Sequence, residues 1–154
     1  MSALRRDIPA IAPTVNVLLM LWVLVGRGLF VPLGWLTLFG VLASPVVALC
    51  LWSTTRMMRR RSDPELTPAQ TRLQLVLWFA MLGFGLTASD GGDSGATSSV
   101  LTHLLGGAHE VAAVSDWFAF GCLVTGVVAW IVLSSKLSAD LVAQARVRSV
   151  DPPD

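Results

Sequence analysis

The sequence predicts an all-α integral membrane protein: a four-transmembrane-helix bundle, up-down-up-down, with both termini cytoplasmic. Three observations predict it. Hydrophobic residues make up 54% of the 154-residue chain and charged residues only 14%, against about a quarter charged in ordinary soluble domains. The apolar residues come in long runs rather than at the spacing of a surface helix. The charges cluster, and the densest cluster, Arg56–Arg61 (R-M-M-R-R-R), falls between two of those runs. A single membrane domain, 1–154, follows.

Residues 1–13 read as a short basic head, made irregular by Pro9 and Pro13, which a helix tolerates only in its first turn. Thr14–Val25 is apolar except for Asn16. Twelve residues rise only about 18 Å, short of the roughly 30 Å hydrocarbon core, so the first span is placed at 13–30, with Arg27 within a turn of its outer end. No small-x-small cleavage site follows, so this run is expected to stay as an anchor. Pro32 and Gly34 mark a tight turn.

The second span is 35–52, uncharged and flanked by Trp35 and Trp52, which suit the headgroup level. Pro45 removes one backbone hydrogen bond at mid-span, and Ser44 is placed to satisfy the freed carbonyl. Gly40, Ser44 and Ala48 lay small residues on one face, the pattern that lets another helix approach closely. A cytoplasmic linker, 53–69, carries the Arg cluster. Thr67-Pro68-Ala69-Gln70 then reads as a helix start: Thr as N-cap, Pro at the first helical position, Gln at the third. The third span is 70–88, with Gly83 and Thr87 continuing the small-residue pattern.

The outer loop, 89–115, opens with Ser-Asp-Gly-Gly-Asp-Ser-Gly. Val100–Leu105 and Ala108–Val114 are expected as short surface helices split by Gly106-Gly107. The fourth span, 116–135, begins with Asp116 as cap and Trp117 as interface anchor. Gly121, Thr125 and Ala129 repeat the small stripe. In the tail, 136–154, Leu137, Leu141, Val142 and Ala145 suggest a helix lying along the cytoplasmic surface.

Charge fixes the sidedness. With four spans, Arg5, Arg6, Arg56, Arg59, Arg60, Arg61, Arg72, Lys136, Arg146 and Arg148 share one side, and Arg27 is alone on the other. Cytoplasmic loops carry the Lys and Arg excess, so both termini and the linker are expected inside. Arg56, Arg59, Arg60 and Arg61 then act as a headgroup anchor, each worth about 1 kcal/mol against anionic lipid. Poverty in Lys, Asn and Tyr points to a GC-rich bacterium, and the expected location is its plasma membrane, multi-pass. A net charge of +1 leaves no field for nucleic acid.

Few residues carry candidate chemistry. Arg27 reads as a headgroup-snorkelling anchor, as an ion pair with Asp90 or Asp93 that pins the outer loop, or as an anion contact. A metal site built from His103, His109, Glu110, Asp90 and Asp93 is a minor reading, because the oxygen ligands do not alternate as a calcium loop needs and a Gly-Gly break separates the histidines. Cys50 and Cys122 fall at different depths, which argues against a disulfide. Asn16 and Gln74 could share an interhelical hydrogen bond. No acidic residue lies within a span, which weighs against a proton- or cation-coupled transporter.

The expected function is non-catalytic: an accessory or assembly subunit of a larger membrane complex, with no cofactor, whose partners are the bilayer and other subunits or copies of itself. The alternatives are a homo-oligomeric transporter or channel, and a membrane enzyme using the outer-loop His residues and carboxylates.

Overall fold

The computed structural model describes residues 2–30, 34–61, 65–91, 97–105 and 109–150. Among these the chain forms five α-helices: α1 (Ser2–Leu24), α2 (Trp35–Arg60), α3 (Pro68–Thr87), α4 (Val100–Leu104) and α5 (His109–Val150). A 3₁₀ turn, Gly26–Leu29, follows α1. Two residues, Asp90–Gly91 (β1), pair antiparallel with Thr97–Ser98 (β2), Asp90 opposite Ser98. Three helices contain stretches long and apolar enough to cross a membrane: Arg5–Leu24, Trp35–Arg60 and Ala113–Val147.

The remaining long helix, α3, is the packing centre. Its most extensive contacts are with α5 and then with α1. Gln70, Thr71 and Gln74 lower its hydropathy, yet these side chains are buried, as are Leu77, Ala80, Gly85 and Thr87, while Phe79 is exposed. Gln70, Thr71 and Gln74 thus face neighbouring helices, while Arg72 is exposed. Its start is the capping box read from Thr67-Pro68-Ala69-Gln70: the Thr67 hydroxyl accepts from the Gln70 amide and the Gln70 side chain accepts from the Thr67 amide. Along α3 and α5 the contacts run in opposite order, Gln70 with Asp140, Ala80 with Gly126 and Gly83 with Cys122, so the two are antiparallel.

Several boundaries differ from the sequence reading. The basic head is not irregular: α1 is helical from Ser2, with Pro9 and Pro13 inside it, and it ends at Leu24 rather than at residue 30. The second helix does not stop at Trp52. It continues to Arg60 and takes most of the Arg cluster with it, because Thr54, Thr55 and Met58 are buried and hold the extra turns against the bundle. Asp116 caps nothing; it lies within α5, which begins at His109 and absorbs the second expected surface helix. Nor does the tail bend onto a surface. α5 runs on to Val150, 42 residues in all, or about 63 Å at 1.5 Å per residue. The turn at Pro32 lies outside the described residues.

Each internal proline leaves one carbonyl without its helical donor, and each such carbonyl finds another. Pro9 frees the Arg5 carbonyl, which accepts from the Leu66 amide at 3.3 Å. Pro13 frees the Pro9 carbonyl, which accepts from Arg59 Nε at 3.3 Å. Pro45 frees the Val41 carbonyl, which accepts from Ser44 Oγ at 2.8 Å. This explains how α1 keeps two prolines in its interior: donors from the chain beyond α2 and from its last turn replace the missing amides.

The buried apolar core lies toward the basic end, where Ile8, Met58, Leu66, Leu133 and Leu137 form one cluster and Leu51, Leu77 and Ala129 another. At the opposite end α2 is held loosely. Leu38, Phe39, Val41, Leu42 and Val46 are all exposed there. On this helix Gly40, Ser44 and Ala48 are half-buried, with Gly40 against Leu24. On α5 the packed face is Ala119, Gly126, Ala129, Leu133 and Leu137, so of the expected stripe Ala129 is buried while Gly121 and Thr125 face outward.

Candidate functional site

The site grows from a helix start that cannot cap itself. Gly34 is the N-cap of α2 and has no side chain to offer, so the first amides of α2 need acceptors from elsewhere. Asp90, at the start of β1, supplies them. Its Oδ1 accepts from the Leu36 amide at 2.9 Å, and its Oδ2 accepts from the Thr37 amide at 3.2 Å and the Thr37 hydroxyl at 2.6 Å. A carboxylate is thus seated on a helix N-terminus, where both the free amides and the dipole favour negative charge.

Arg27 completes the arrangement. Its Nη2 donates to Asp90 Oδ2 at 2.9 Å, and the two side chains are 1% and 0% exposed. The 3₁₀ turn places Arg27: the chain tightens after Leu24, with Gly28 and Phe30 amides bonded to the Val25 and Arg27 carbonyls, and the side chain points into the bundle. Gly26 at the turn sits under Trp22, and a Cβ there would come within 2.5 Å of the indole. Burial pushes the Asp90 carboxyl upward, but the Thr37 hydroxyl, the backbone at Gly34 and Leu36, and the Arg27 charge together outweigh it and hold Asp90 below the ordinary carboxylate range. Among the described residues Arg27 Nε has no hydrogen-bond partner.

The loop that carries Asp90 is tied down by hydroxyls. Ser99 caps α4 in a reciprocal box with Thr102. The Ser99 and Ser115 hydroxyls lie 2.9 Å apart, and Ser115 Oγ donates to the Thr87 carbonyl at 2.7 Å. The ends of α3, α4 and α5 therefore meet in a buried polar knot beside the ion pair.

A second polar group lies at the basic end. Arg61 donates to Gln70 Oε1 at 2.8 Å and pairs with Asp140 at 3.3 Å, and Gln70 Nε2 donates to Asp140 Oδ2 at 2.8 Å. Arg5 pairs with Glu65 at 3.6 Å. Between the two ends, Trp78 Nε1 donates to Asn16 Oδ1 at 2.8 Å and Asn16 donates to Thr55 Oγ1 at 3.3 Å. Asn16 thus bridges α2 and α3 through Thr55 and Trp78, and its partner is not Gln74.

Of the expected site residues, the structure brings Arg27 and Asp90 together. Asp93 lies outside the described residues, as do the side chains of His109 and Glu110. His103 is exposed on α4. Among the described residues no three His, Cys, Asp or Glu side chains gather as metal ligands would. Cys50 and Cys122 are free thiols. In the Arg cluster, Arg56 and Arg60 are exposed, whereas Arg59 bonds the Pro9 and Ala10 carbonyls and Arg61 joins the Gln70–Asp140 group. Sequence reasoning misses Thr37 and Asp140. Thr37 had a local signal, a hydroxyl in the first turn after an uncapped Gly34; Asp140 had none, since only the length of α5 brings it to Gln70.

Three apolar helices surround a fourth that buries Gln70, Thr71 and Gln74, with a buried ion pair at one end and a basic group at the other. Comparison with family models, with curated proteins and with solved structures finds no match for this chain.

Proposed function

We propose that this chain is a four-span, up-down-up-down membrane bundle with both termini cytoplasmic, serving as a non-catalytic subunit or assembly factor of a larger membrane complex. The fourth span is α3: Gln70, Thr71 and Gln74 face other helices rather than lipid, which is how polar residues are tolerated in a membrane, and the exposed Arg72 falls in its first turns at the headgroup level. The ten-to-one partition of basic residues supports the orientation, and the plasma membrane of a bacterium is the proposed location.

One observation carries the subunit reading. Between α3 and α5 runs a groove of about 750 Å³, lined by Phe79, Gly83, Trp117, Phe118, Gly121 and Thr125 among others. Gly121 meets nothing within 4 Å, and Gly121 and Thr125 are exposed on this face. Small residues beside exposed aromatics are the surface on which a further transmembrane helix packs closely. The proposed occupant is a helix of a different membrane subunit.

Two experiments test this. Purification in mild detergent should yield a stoichiometric second protein that is lost on Gly121→Trp. A pure homo-oligomer that passes solute in liposomes would replace this reading with a transporter or channel. Cysteine labelling at Ser94 and Ser62 tests the topology: the impermeant reagent should reach Ser94→Cys from outside and Ser62→Cys only after lysis.

A further inference from the structure

A second groove, of about 630 Å³, runs between α1 and α2 from the middle of α2 toward the basic end. On α1 it is lined by Pro13, Asn16, Val17 and Met20, and on α2 by residues from Pro45 to Thr55. Along α2 that is about 15 Å at helical rise, half of a roughly 30 Å hydrocarbon core. The polar side chains in its floor, Asn16 and Thr55, are bonded to each other at 3.3 Å, and Trp78 donates to the Asn16 oxygen. An acyl chain laid over them strands neither.

The groove has one charged end. Side chains three and four positions apart share a helix face. On α2 the lining rows Ala48, Trp52, Thr55 and Pro45, Leu49, Trp52 continue to Arg59 and Arg56. On α1 the row Met20, Val17, Pro13 continues through Ala10 to Arg6. All three arginines are exposed. Arg59 closes the end of the groove by crossing to α1, where Nε donates to the Pro9 carbonyl at 3.3 Å and Nη2 to the Ala10 carbonyl at 3.5 Å. Among the described residues none of the three pairs with a carboxylate. Glu65 holds Arg5, and Asp7 lies about 100° round α1 from Arg6, off the groove face. Trp35 and Arg56 stand about 32 Å apart along α2 at helical rise. A helix that crosses a roughly 30 Å core from Trp35 therefore brings this end to the headgroups.

We propose that this groove is a binding site for one anionic glycerophospholipid of the leaflet at the basic end: an acyl chain lies between α1 and α2, and the phosphate is held by Arg6, Arg56 and Arg59. Length and charge select the occupant. The groove is one leaflet deep, as an acyl chain is, whereas a transmembrane helix crosses the full core. Guanidinium forks match phosphate oxygens, and a zwitterionic headgroup would set its own ammonium beside the arginines, like charge against like. The Arg cluster is thereby divided. Arg56 and Arg59 face the groove, Arg60 lies about 100° round α2 from Arg59, and Arg61 is spent on Gln70 and Asp140. Such a site differs from diffuse anchoring by the whole cluster: it counts one lipid and it distinguishes these neighbours. The inference rests on membrane insertion but not on a second protein, and the isolated chain tests it.

The protein is reconstituted into nanodiscs of equal parts phosphatidylglycerol and phosphatidylcholine with the same acyl chains, extracted in mild detergent and weighed by native mass spectrometry. The wild type should keep one phosphatidylglycerol per chain. Arg6→Gln with Arg56→Gln should cut retention at least fivefold. The charge-matched control, Arg60→Gln with Arg146→Gln, removes two exposed arginines outside the groove and should keep it. Ala48→Trp fills the groove and should cut retention with every arginine in place; Val17→Trp, from the α1 side, serves if Ala48→Trp does not fold. Val46→Trp, which lies outside the groove, should keep it. Equal loss in the two double variants would reduce the cluster to a diffuse anchor. Equal retention of phosphatidylcholine would make the groove a cleft for any lipid, and a co-purifying protein displaced by Ala48→Trp would make it a subunit contact. Each of these overturns the proposal. A chain that does not enter nanodiscs would overturn the membrane reading as well, whereas one that enters and keeps no phosphatidylglycerol removes this site alone.

Discussion

The two ends of the bundle are held by charge in opposite ways. At the Asp90 end, one carboxylate gathers Arg27, two backbone amides and a hydroxyl, and both members of the ion pair are withdrawn from solvent. At the basic end, the contacts are many and individually weaker: Arg61 with Gln70 and Asp140, Arg59 with two carbonyls, and Arg5 with Glu65, several of them partly exposed. Exposed pairs share their charge with water and contribute little, whereas breaking a buried pair strands a charge in low dielectric. The Asp90 end therefore fails at a single residue. The basic end loses stability by degrees, and its apolar clusters hold it in any case.

The largest test is at Asp90. Asp90→Ala strands the Arg27 guanidinium and uncaps α2, so it should cost about 3–5 kcal/mol, read as a lowered thermal midpoint in detergent. Exchanging the charges, Arg27→Asp with Asp90→Arg, should not rescue it, because the Leu36 and Thr37 amides would face a cation. Recovery in the exchanged protein would reduce the site to a plain ion pair. Acid probes the same carboxylate more gently. The folded Asp90 binds its proton less readily than the unfolded group does. Its stabilisation is thus fully present above about pH 4 and is lost as pH falls through the lower folded-state value. The wild-type thermal midpoint should drop in that window more than that of Asp90→Asn.

Smaller effects sharpen the contrast. Gly85 lies against Trp22, where an added Cβ meets the indole directly, and Trp22 also donates to the Leu82 carbonyl at 3.4 Å. Gly85→Ala should cost about 1–3 kcal/mol from overpacking, seen as a lower midpoint. Asp140→Ala should cost about 1–3 kcal/mol, less than Asp90→Ala, because it leaves the buried Gln70 Nε2 without its acceptor while Arg61 keeps Gln70 Oε1. Least of all, Gly121→Ala meets open space and should be neutral or stabilising by up to about 1 kcal/mol in the isolated chain; a clear loss of stability there would show that the α3–α5 groove is closed in solution.

How much of this was legible depends on whether the signal is local. The start of α3 is written in four consecutive residues, and so is the Ser44-Pro45 repair. The apolar runs give the long helices. Arg27 stands out as the lone basic residue of its side, and the first acidic residues downstream that the four-span reading puts on that side, Asp90 and Asp93, bound its choice of partner. Features that depend on a distant segment are misread. Pro9 and Pro13 break a helix only when no foreign donor arrives, and Arg59 and Leu66 arrive. The cluster Arg56–Arg61 resembles a linker by charge, yet Met and Arg are good helix formers, and the buried Met58 keeps α2 wound. On α5, apolar residues occur all round, so a stripe of small residues cannot choose the packed face. Gly121 and Thr125 are on the wrong side of that helix to meet α3, whose neighbours are Cys122 and Gly126.

The donors that repair α1 have a consequence for how the protein is made. The Pro9 carbonyl waits for Arg59, 50 residues later in the chain, and the Arg5 carbonyl waits for Leu66. During synthesis α1 emerges before either protein donor exists, and until then these two carbonyls have only water to accept from. The first turns of α1 therefore gain these two bonds only after the chain has been translated through Leu66. A nascent chain halted before Arg59 should therefore hold the first turns of α1 less firmly than one halted after Leu66, read as faster proteolysis or amide exchange there.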